Sequence, residues 1–201
     1  MTSEVEIARL ALQHIGDRYD ITSMAEESPE AEQVNLVYDD VRDMMLRDHP
    51  WKFARKYTAP AAIVGTVPGN WSYMFQYPAD CVRVVRIVNP LGDGEDPIRF
   101  EVARYASGAT DTRVMLTDEA EPTFEYTSRI TDPNEYDPIF VTAMAYRLAQ
   151  YIAVPLTGDR QVMADMKTMA DVEVGKARAS DGNEGFEAPR PAEATWISAR
   201  T

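Results

Sequence analysis

The side chains with the greatest capacity for chemistry in this 201-residue chain are one cysteine, two histidines and 33 carboxylates. Cys81 can form a nucleophile–base pair with a histidine only if the fold brings the two together, and no local signature of a cysteine enzyme surrounds it. We therefore predict that Cys81 is a small buried apolar residue. His14 is predicted to be a surface residue near a helix end, and His49 to serve in packing or capping.

The sequence also contains few residues and motifs of the kinds that bind metals or cofactors. One cysteine and two histidines are too few for a thiolate or imidazole cage. The stretch 181–185 superficially resembles a calcium loop, but its sixth position is Phe186 rather than Gly and its twelfth is Ala192 rather than Glu. Glycine motifs for nucleotides, HExxH and GxSxG do not occur in the sequence. We predict no catalytic residue, no metal and no cofactor.

The abundant carboxylates offer accidental pairs. Glu119 with Glu121, and Asp17 with Asp20, lie in predicted loops, where solvated charge is the simplest interpretation. Paired acids do catalytic work when burial separates their pKa values. A small carboxylate-dependent hydrolase therefore remains an alternative, which a deep pocket containing two buried acids would favour.

The charge balance argues against a nucleic-acid-binding protein. The chain has 20 Lys and Arg against 33 Asp and Glu, a formal charge of −13 and a pI near 4.6, whereas phosphate neutralisation requires a basic footprint; a local basic patch stays possible. The sequence lacks a signal-peptide pattern and an apolar run approaching a membrane span. These features predict synthesis in the cytoplasm and no membrane partner.

Four segments have helical periodicity. Ser3 and Glu6 form a capping-box pattern, Ser28 and Pro29 begin a second helix, and Pro138 begins a third. The predicted helices are 3–15, 29–48, one from Pro138 that breaks at Pro155 and Gly158, and about 159–179. The buried stripes at i, i+3 and i+4 spacing are predicted to contain, among others, Val34, Tyr38, Val41, Met44, Met45, Phe140, Leu148 and Tyr151, with Arg42 outside them.

Residues 51–132 have strand-length apolar runs between Pro and Gly. The predicted strands are 51–58, 61–67, 71–77, 82–88, 98–104, 112–117 and 122–129. In 71–77, alternation places four aromatic residues on one face, and the residues between them are not cations, which favours a core-facing or subunit-facing strand over a nucleic-acid platform. A hinge or packing region between helices and strands is predicted to contain Trp51, Phe53, Trp71, Tyr73, Phe75 and Tyr77.

This order of elements predicts an α+β fold. A four-helix body, 1–50 and 133–180, carries an inserted antiparallel β lobe, 51–132. An extended C-terminal arm, 181–201, is expected to stay flexible until it binds a partner, and its removal is expected to leave the fold intact. The arm's partner-binding residues are predicted to be Phe186, Arg190, Trp196, Ile197 and Arg200, because aromatic and arginine anchors dominate such interfaces.

The order and spacing of several phrases carry a family resemblance. They include Leu-Arg-Asp-His-Pro-Trp-Lys-Phe-Ala at 46–54 and Tyr-Pro-Ala-Asp-Cys-Val-Arg-Val at 77–84. The others lie at 11–16, 38–43, 71–73, 125–127, Phe140 and 155–158. Over about residues 4–180 the chain resembles the head–tail adaptor (connector) proteins of tailed bacteriophages, of the tail tubular protein A type, and their relatives in gene transfer agents.

The resemblance implies a structural virion protein rather than an enzyme. Family members form a ring, typically of twelve copies, beneath the portal protein at the capsid vertex. The helical part and the arm would dock on the portal, the β lobe would face the next tail or stopper component, and ring neighbours would be further copies. DNA would pass through the channel without specific binding, along a bore that the net charge makes acidic. Such a protein would be made in the bacterial host cytoplasm, and the isolated chain would be monomeric; a different virion-assembly binding module is the second alternative.

Overall fold

The computed structural model describes residues 2–89, 96–107 and 110–185. It is an α+β fold, as predicted. The helices are α1 (Glu4–His14), α2 (Pro29–Asp48), α3 (Pro138–Thr157) and α4 (Arg160–Asn183). The strands are β1 (Arg55–Thr58), β2 (Tyr73–Gln76), β3 (Cys81–Ile87), β4 (Phe100–Ser107), β5 (Thr110–Thr117) and β6 (Phe124–Ser128), with single 3₁₀ turns at Lys52–Ala54 and Pro133–Glu135.

The helices begin where their caps predict. The hydroxyl of Ser3 accepts the backbone N–H of Glu6, whose carboxylate accepts the N–H of Ser3 in return. The Ser28 hydroxyl accepts the N–H of Ala31 at 3.2 Å, next to Pro29 at the first helical position. These bonds satisfy backbone donors that the first helical turn leaves unpaired, so the first two helices are confirmed almost to the residue.

Two helix ends differ from the prediction. Helix α3 continues through Pro155 to Thr157, because a proline in the last turn forfeits a single backbone hydrogen bond. Gly158, at φ 72°, then supplies the left-handed cap. Helix α4 continues four residues beyond 179, to Asn183, and therefore includes the first residues of the predicted arm.

The helical body is organised around α3, which packs against α1, α2 and α4. Nine of its 20 residues are buried, and the core includes Leu12, Leu46, Phe140, Leu148 and Ile152, each 1% exposed or less. By length and hydropathy α3 would suffice to cross a membrane, contrary to the expectation that no segment approaches one. The same properties are expected of a helix that three others surround.

In α2 and α3, three of the side chains named above depart from the predicted stripes; in α4, Met169 and Val172, also predicted for the stripe, are each 48% exposed. Met44 and Tyr151 are 41% and 43% exposed, because they lie at the edge of the contact between α2 and α3. Arg42, predicted to lie outside the stripe, is only 5% exposed. Its guanidinium is paired with Asp39 at 2.7 Å and Asp43 at 2.9 Å, which compensates its burial.

The β lobe contains two three-stranded antiparallel sheets, with strand orders β1-β6-β3 and β2-β5-β4. A small core forms between them from Phe75, Ile87, Met115 and Phe124. The predicted strand 61–67 is wrong, because only one isolated bridge joins Ala62 to Phe75. Instead, this segment lies over the outer face of the second sheet, where Ile63 and Val67 cover Met74, Val114 and Leu116.

Candidate interaction surfaces

The junction between body and lobe is built from stacked aromatic side chains. Trp51 is 1% exposed, and its indole N–H donates to the carbonyl of Met45 at 2.8 Å. Its ring meets Phe140 edge-on at 5.0 Å between centroids. Phe53 lies 5.0 Å from Phe140 and 6.0 Å from Tyr136. Trp51 and Phe53 therefore occupy the predicted junction, and their buried contacts make it a fixed joint.

Backbone-directed hydrogen bonds reinforce this joint from the lobe side. Arg47 of α2 donates to the carbonyl of Val82 in β3 at 2.8 Å. The buried hydroxyl of Ser128 at the end of β6 donates to the carbonyl of Ala54 at 2.9 Å. Arg129, which follows β6, pairs with Asp43 of α2 at 2.8 Å. Both sheet strands nearest the body are thus anchored to it.

The C-terminal end of α4 is also tied to the junction. Asp181 is 8% exposed, and its carboxylate accepts the backbone N–H of Lys52 at 2.7 Å and contacts Nε2 of His49 at 2.9 Å. The Lys52 ammonium donates to the carbonyl of Gly182 at 3.2 Å. This contact fixes the point from which the chain continues after α4.

Sequence analysis missed this tie because it assigned Asp181 to the arm. A signal was present: Asp181 follows Val174 and Ala177 at helical spacing, and all three are buried on one side of α4. His49, predicted to serve in packing or capping, has this carboxylate as its partner and also packs edge-on against Trp51.

The predicted aromatic row 71–77 does not form one face. Phe75 lies in the core between the sheets, 6.3 Å from Phe124. Trp71 precedes β2 and packs on the opposite side of its sheet, in the cluster with Met74. Tyr73 is 40% exposed. Tyr77 packs on the same core as Phe75, so the row is broken at Trp71, which lies before the four-residue strand β2 and outside its alternation.

These aromatic residues are also separate from the junction, contrary to the prediction of one hinge region. Trp71, Phe75 and Tyr77 belong to the two small clusters of the lobe, and Tyr73 lies beside Phe75. Trp51 and Phe53 pack with the body instead. Arginines from elsewhere in the lobe cover two of the rings: Arg99 lies 4.8 Å from the centre of Trp71, and Arg113 lies 4.3 Å from the centre of Tyr77. Cations absent from 71–77 itself are therefore supplied across the sheet.

Cys81 and His14 are not brought together. Cys81, 7% exposed, begins β3 in the lobe, and burial raises the pKa of its thiol, so it is a poor nucleophile at neutral pH. His14 of α1 stacks on Tyr146 of α3 at 3.8 Å. Burial lowers the pKa of this imidazole, and the residue is half-buried rather than on the surface. The prediction for Cys81 is confirmed, and that for His14 is wrong.

The buried acids lie apart and are individually compensated. Glu125, 2% exposed, forms an ion pair with Arg55 at 3.1 Å and accepts a hydrogen bond from Arg86 at 2.7 Å in the lobe, whereas Asp181 lies at the end of α4. Four clefts lined by described residues include only two carboxylates, those of Asp40 and Asp48. Within the ranges 2–89, 96–107 and 110–185, no three His, Cys, Asp or Glu side chains are arranged to hold a metal ion.

The predicted partner-binding residues of the arm lie outside the described residues, which end at Gly185. These are Phe186, Arg190, Trp196, Ile197 and Arg200. Comparison of the chain with protein-family models and with curated proteins finds no match.

Proposed function

We propose that this protein is a structural head–tail adaptor of a tailed phage or gene transfer agent. In this proposal it forms a ring, most simply of twelve copies, that docks on the portal, joins it to the tail and leaves a channel for DNA. The order and spacing of the sequence phrases support this assignment, and the α+β architecture is compatible with it. In this role the protein holds the portal and the tail in a fixed relative position.

The observation that carries the proposal is the fixed joint. A connector must transmit position from one neighbour to the other, so its two contact regions have to be rigidly coupled. Trp51 and Phe53 pack against Phe140 of the body while the backbone continues directly into β1. Asp181 ties the end of α4 to the same place. One location therefore couples the body, the lobe and the C-terminal end of α4.

The proposal assigns different partners to the coupled regions. The helical body and the segment after Gly185 meet the portal, and the β lobe meets the next tail or stopper component. The formal charge of −13 per chain supports a DNA channel that repels the phosphate backbone and so lets DNA slide. A solved ring with a neutral or basic bore would contradict that part of the proposal.

The test is to mix the full-length chain with the portal protein of the same phage or gene transfer agent and image the product by electron microscopy. We expect a ring of this chain seated on the portal vertex, and a double variant Trp196→Ala/Ile197→Ala that no longer co-purifies with the portal. The matched control is Met169→Ala/Val172→Ala, which removes comparable apolar area from exposed positions of α4. A native chain that remains unassociated with its portal, or that turns over a substrate, would contradict the proposal.

A further inference from the structure

A surface groove runs along α2 in the helical body. One cleft of about 410 Å³ lies between α2, Tyr151 of α3 and Val174 of α4, and a second of about 270 Å³ continues it along α2 to Val37. The two clefts share Met44 and Tyr151, so they form one continuous groove. At one end of the groove, Asp48 of α2 lines the cleft and forms an ion pair with Arg178 of α4.

The residues at the floor of the groove follow the apolar helical spacing that is typical of a buried surface. Met44 and Tyr151 fall at helical spacing with the core residues of α2 and α3, yet they are 41% and 43% exposed. The Tyr151 hydroxyl meets the Met44 sulfur at 3.7 Å, and Val37 and Val41 extend the apolar surface. Long apolar side chains that line a groove in this way are typical of a site that receives another segment of protein.

The described chain ends beside this groove. Asp181 and Gly182 are held against His49 and Lys52, which follow α2 directly. Gly185 also lies next to the Lys52 ammonium. Asp48, which lines one end of the groove, immediately precedes His49. The segment that follows Gly185 therefore starts at one end of the groove.

This segment is long enough to run the whole groove. The sixteen residues 186–201 span at most about 50 Å when extended. The distance along α2 from Asp48 to Val37 is about 17 Å at the rise of an α-helix. Trp196 and Ile197 lie far enough along the segment to reach Met44 and Tyr151, and with Phe186 they supply apolar side chains to cover them.

We propose that the chain's own C-terminal segment, residues 186–201, folds back into this groove and places Trp196 and Ile197 over Met44 and Tyr151. The covalent connection favours this occupant over a second copy, because a short tether gives a local concentration of about a millimolar or more. The docking does not depend on the proposed function. If the portal also binds Trp196 and Ile197, the groove becomes exposed only after the portal has bound residues 186–201.

Disulfide trapping in the full-length chain tests the docking. The double variant Tyr151→Cys/Ile197→Cys is oxidised at high dilution and compared with Lys176→Cys/Ile197→Cys. Lys176 is exposed, lies two residues from Val174, and so projects to the other side of α4. It lies about 11 Å of helical rise from the end of α4 at Asn183, within reach of the segment. We expect an intramolecular disulfide to form at least about tenfold faster in the groove variant than in the control. Equal rates, or a predominant disulfide between two chains, would overturn the proposal.

Hydrogen exchange on the unsubstituted chain provides a second measurement that requires no engineered cysteine. Amides of residues 194–199 are expected to exchange at least about tenfold more slowly than in a free peptide of the same sequence. The variant Tyr151→Ser should accelerate this exchange, whereas Lys176→Ser should not. Exchange in the native chain at the rate of the free peptide would overturn the proposal.

Discussion

The body and the lobe are held together by different physical means. The body has one large apolar core around α3, in which alanines such as Ala143, Ala149 and Ala153 let helices approach closely. The lobe has two small cores of four and three buried side chains. Charged groups supplement these cores, as where buried Glu125 forms ion pairs with both Arg55 and Arg86.

This contrast indicates which region forms a stable platform and which region can change its surface. Apolar burial stabilises in proportion to area and needs no particular partner atom, so a large core supports a stable platform. Charge pairs and cation–π contacts depend on geometry and on salt. The lobe is therefore the region in which a change of a few side chains should alter shape and partner choice without unfolding the body.

The largest expected effect compares two fully buried phenylalanines. Phe140→Ala removes a ring that contacts Trp51, Phe53 and Tyr136, and we expect it to lower the free energy of unfolding by about 4–5 kcal/mol. Phe124→Ala in the lobe should cost less, about 3 kcal/mol, because a small core can collapse into the space. Urea denaturation measures both. A larger loss for Phe124→Ala would break the comparison.

Two truncations test the tie at the end of α4. Removing 181–201, expected from the sequence to leave the fold intact, deletes buried Asp181 and leaves the Lys52 N–H and His49 without this partner. We expect removal of 181–201 to lower the free energy of unfolding by about 2–3 kcal/mol more than removal of 186–201 does. The shorter truncation keeps those contacts and loses only the docking proposed above, which at tenfold protection corresponds to about 1.4 kcal/mol. Equal losses in thermal or urea unfolding would show that Asp181 does not stabilise the junction.

What the sequence predicts well is local. Ser3 with Glu6, and Ser28 with Pro29, lie within a few residues of each other, so the starts of α1 and α2 follow from the chain itself. The burial of Asp181 depends on Lys52, which is 129 residues away in sequence. A local sequence pattern carries no information about a contact over such a separation. For the same reason, the arm was predicted to begin at 181, although α4 continues to Asn183.

The faces of the lobe strands could not be predicted for a related reason. Both sides of β2 are covered, one by the first sheet through Phe75 and the other by the segment around Ile63 through Met74. Alternation between buried and exposed residues therefore fails inside β2, where Met74 and Phe75 are both buried. The arginines over Trp71 and Tyr77 come from other segments, so the composition of 71–77 alone could not predict them.

An intermediate effect is expected from the buried carboxylate of the lobe. Glu125→Gln keeps the shape of the side chain but removes the charge that Arg55 and Arg86 share. We expect a loss of about 2 kcal/mol in the free energy of unfolding, moderated because both arginines reach solvent. Glu121→Gln, at an exposed position just before β6, is the control and should change it by less than about 0.5 kcal/mol. Similar values for the two variants would mean that this pairing contributes nothing net.

The smallest effect contrasts two exposed carboxylates, one in each region. In the body, a hydrogen bond from the Tyr19 hydroxyl and others from Thr22 lower the pKa of Glu26 to about 2. In the lobe, the Arg99 guanidinium and then the Ser72 hydroxyl lower the pKa of Asp118. Both shifts add stability above the ordinary carboxyl range near pH 4, and it is lost as the pH falls through the lowered pKa of each group. NMR titration of the Glu26 and Asp118 carboxyl groups at low and high salt distinguishes a pKa shift caused by neutral donors from one caused by a charged partner.

Added salt should raise the pKa of Asp118, because its principal partner is a charged guanidinium that ions screen. The pKa of Glu26 should change much less, because its partners are neutral donors. Tyr19→Phe should return the pKa of Glu26 toward its ordinary value near 4.5 and leave that of Asp118 unchanged. If salt moved both pKa values equally, the different partners of the two carboxylates, neutral donors for Glu26 and a guanidinium for Asp118, would not account for the two shifts.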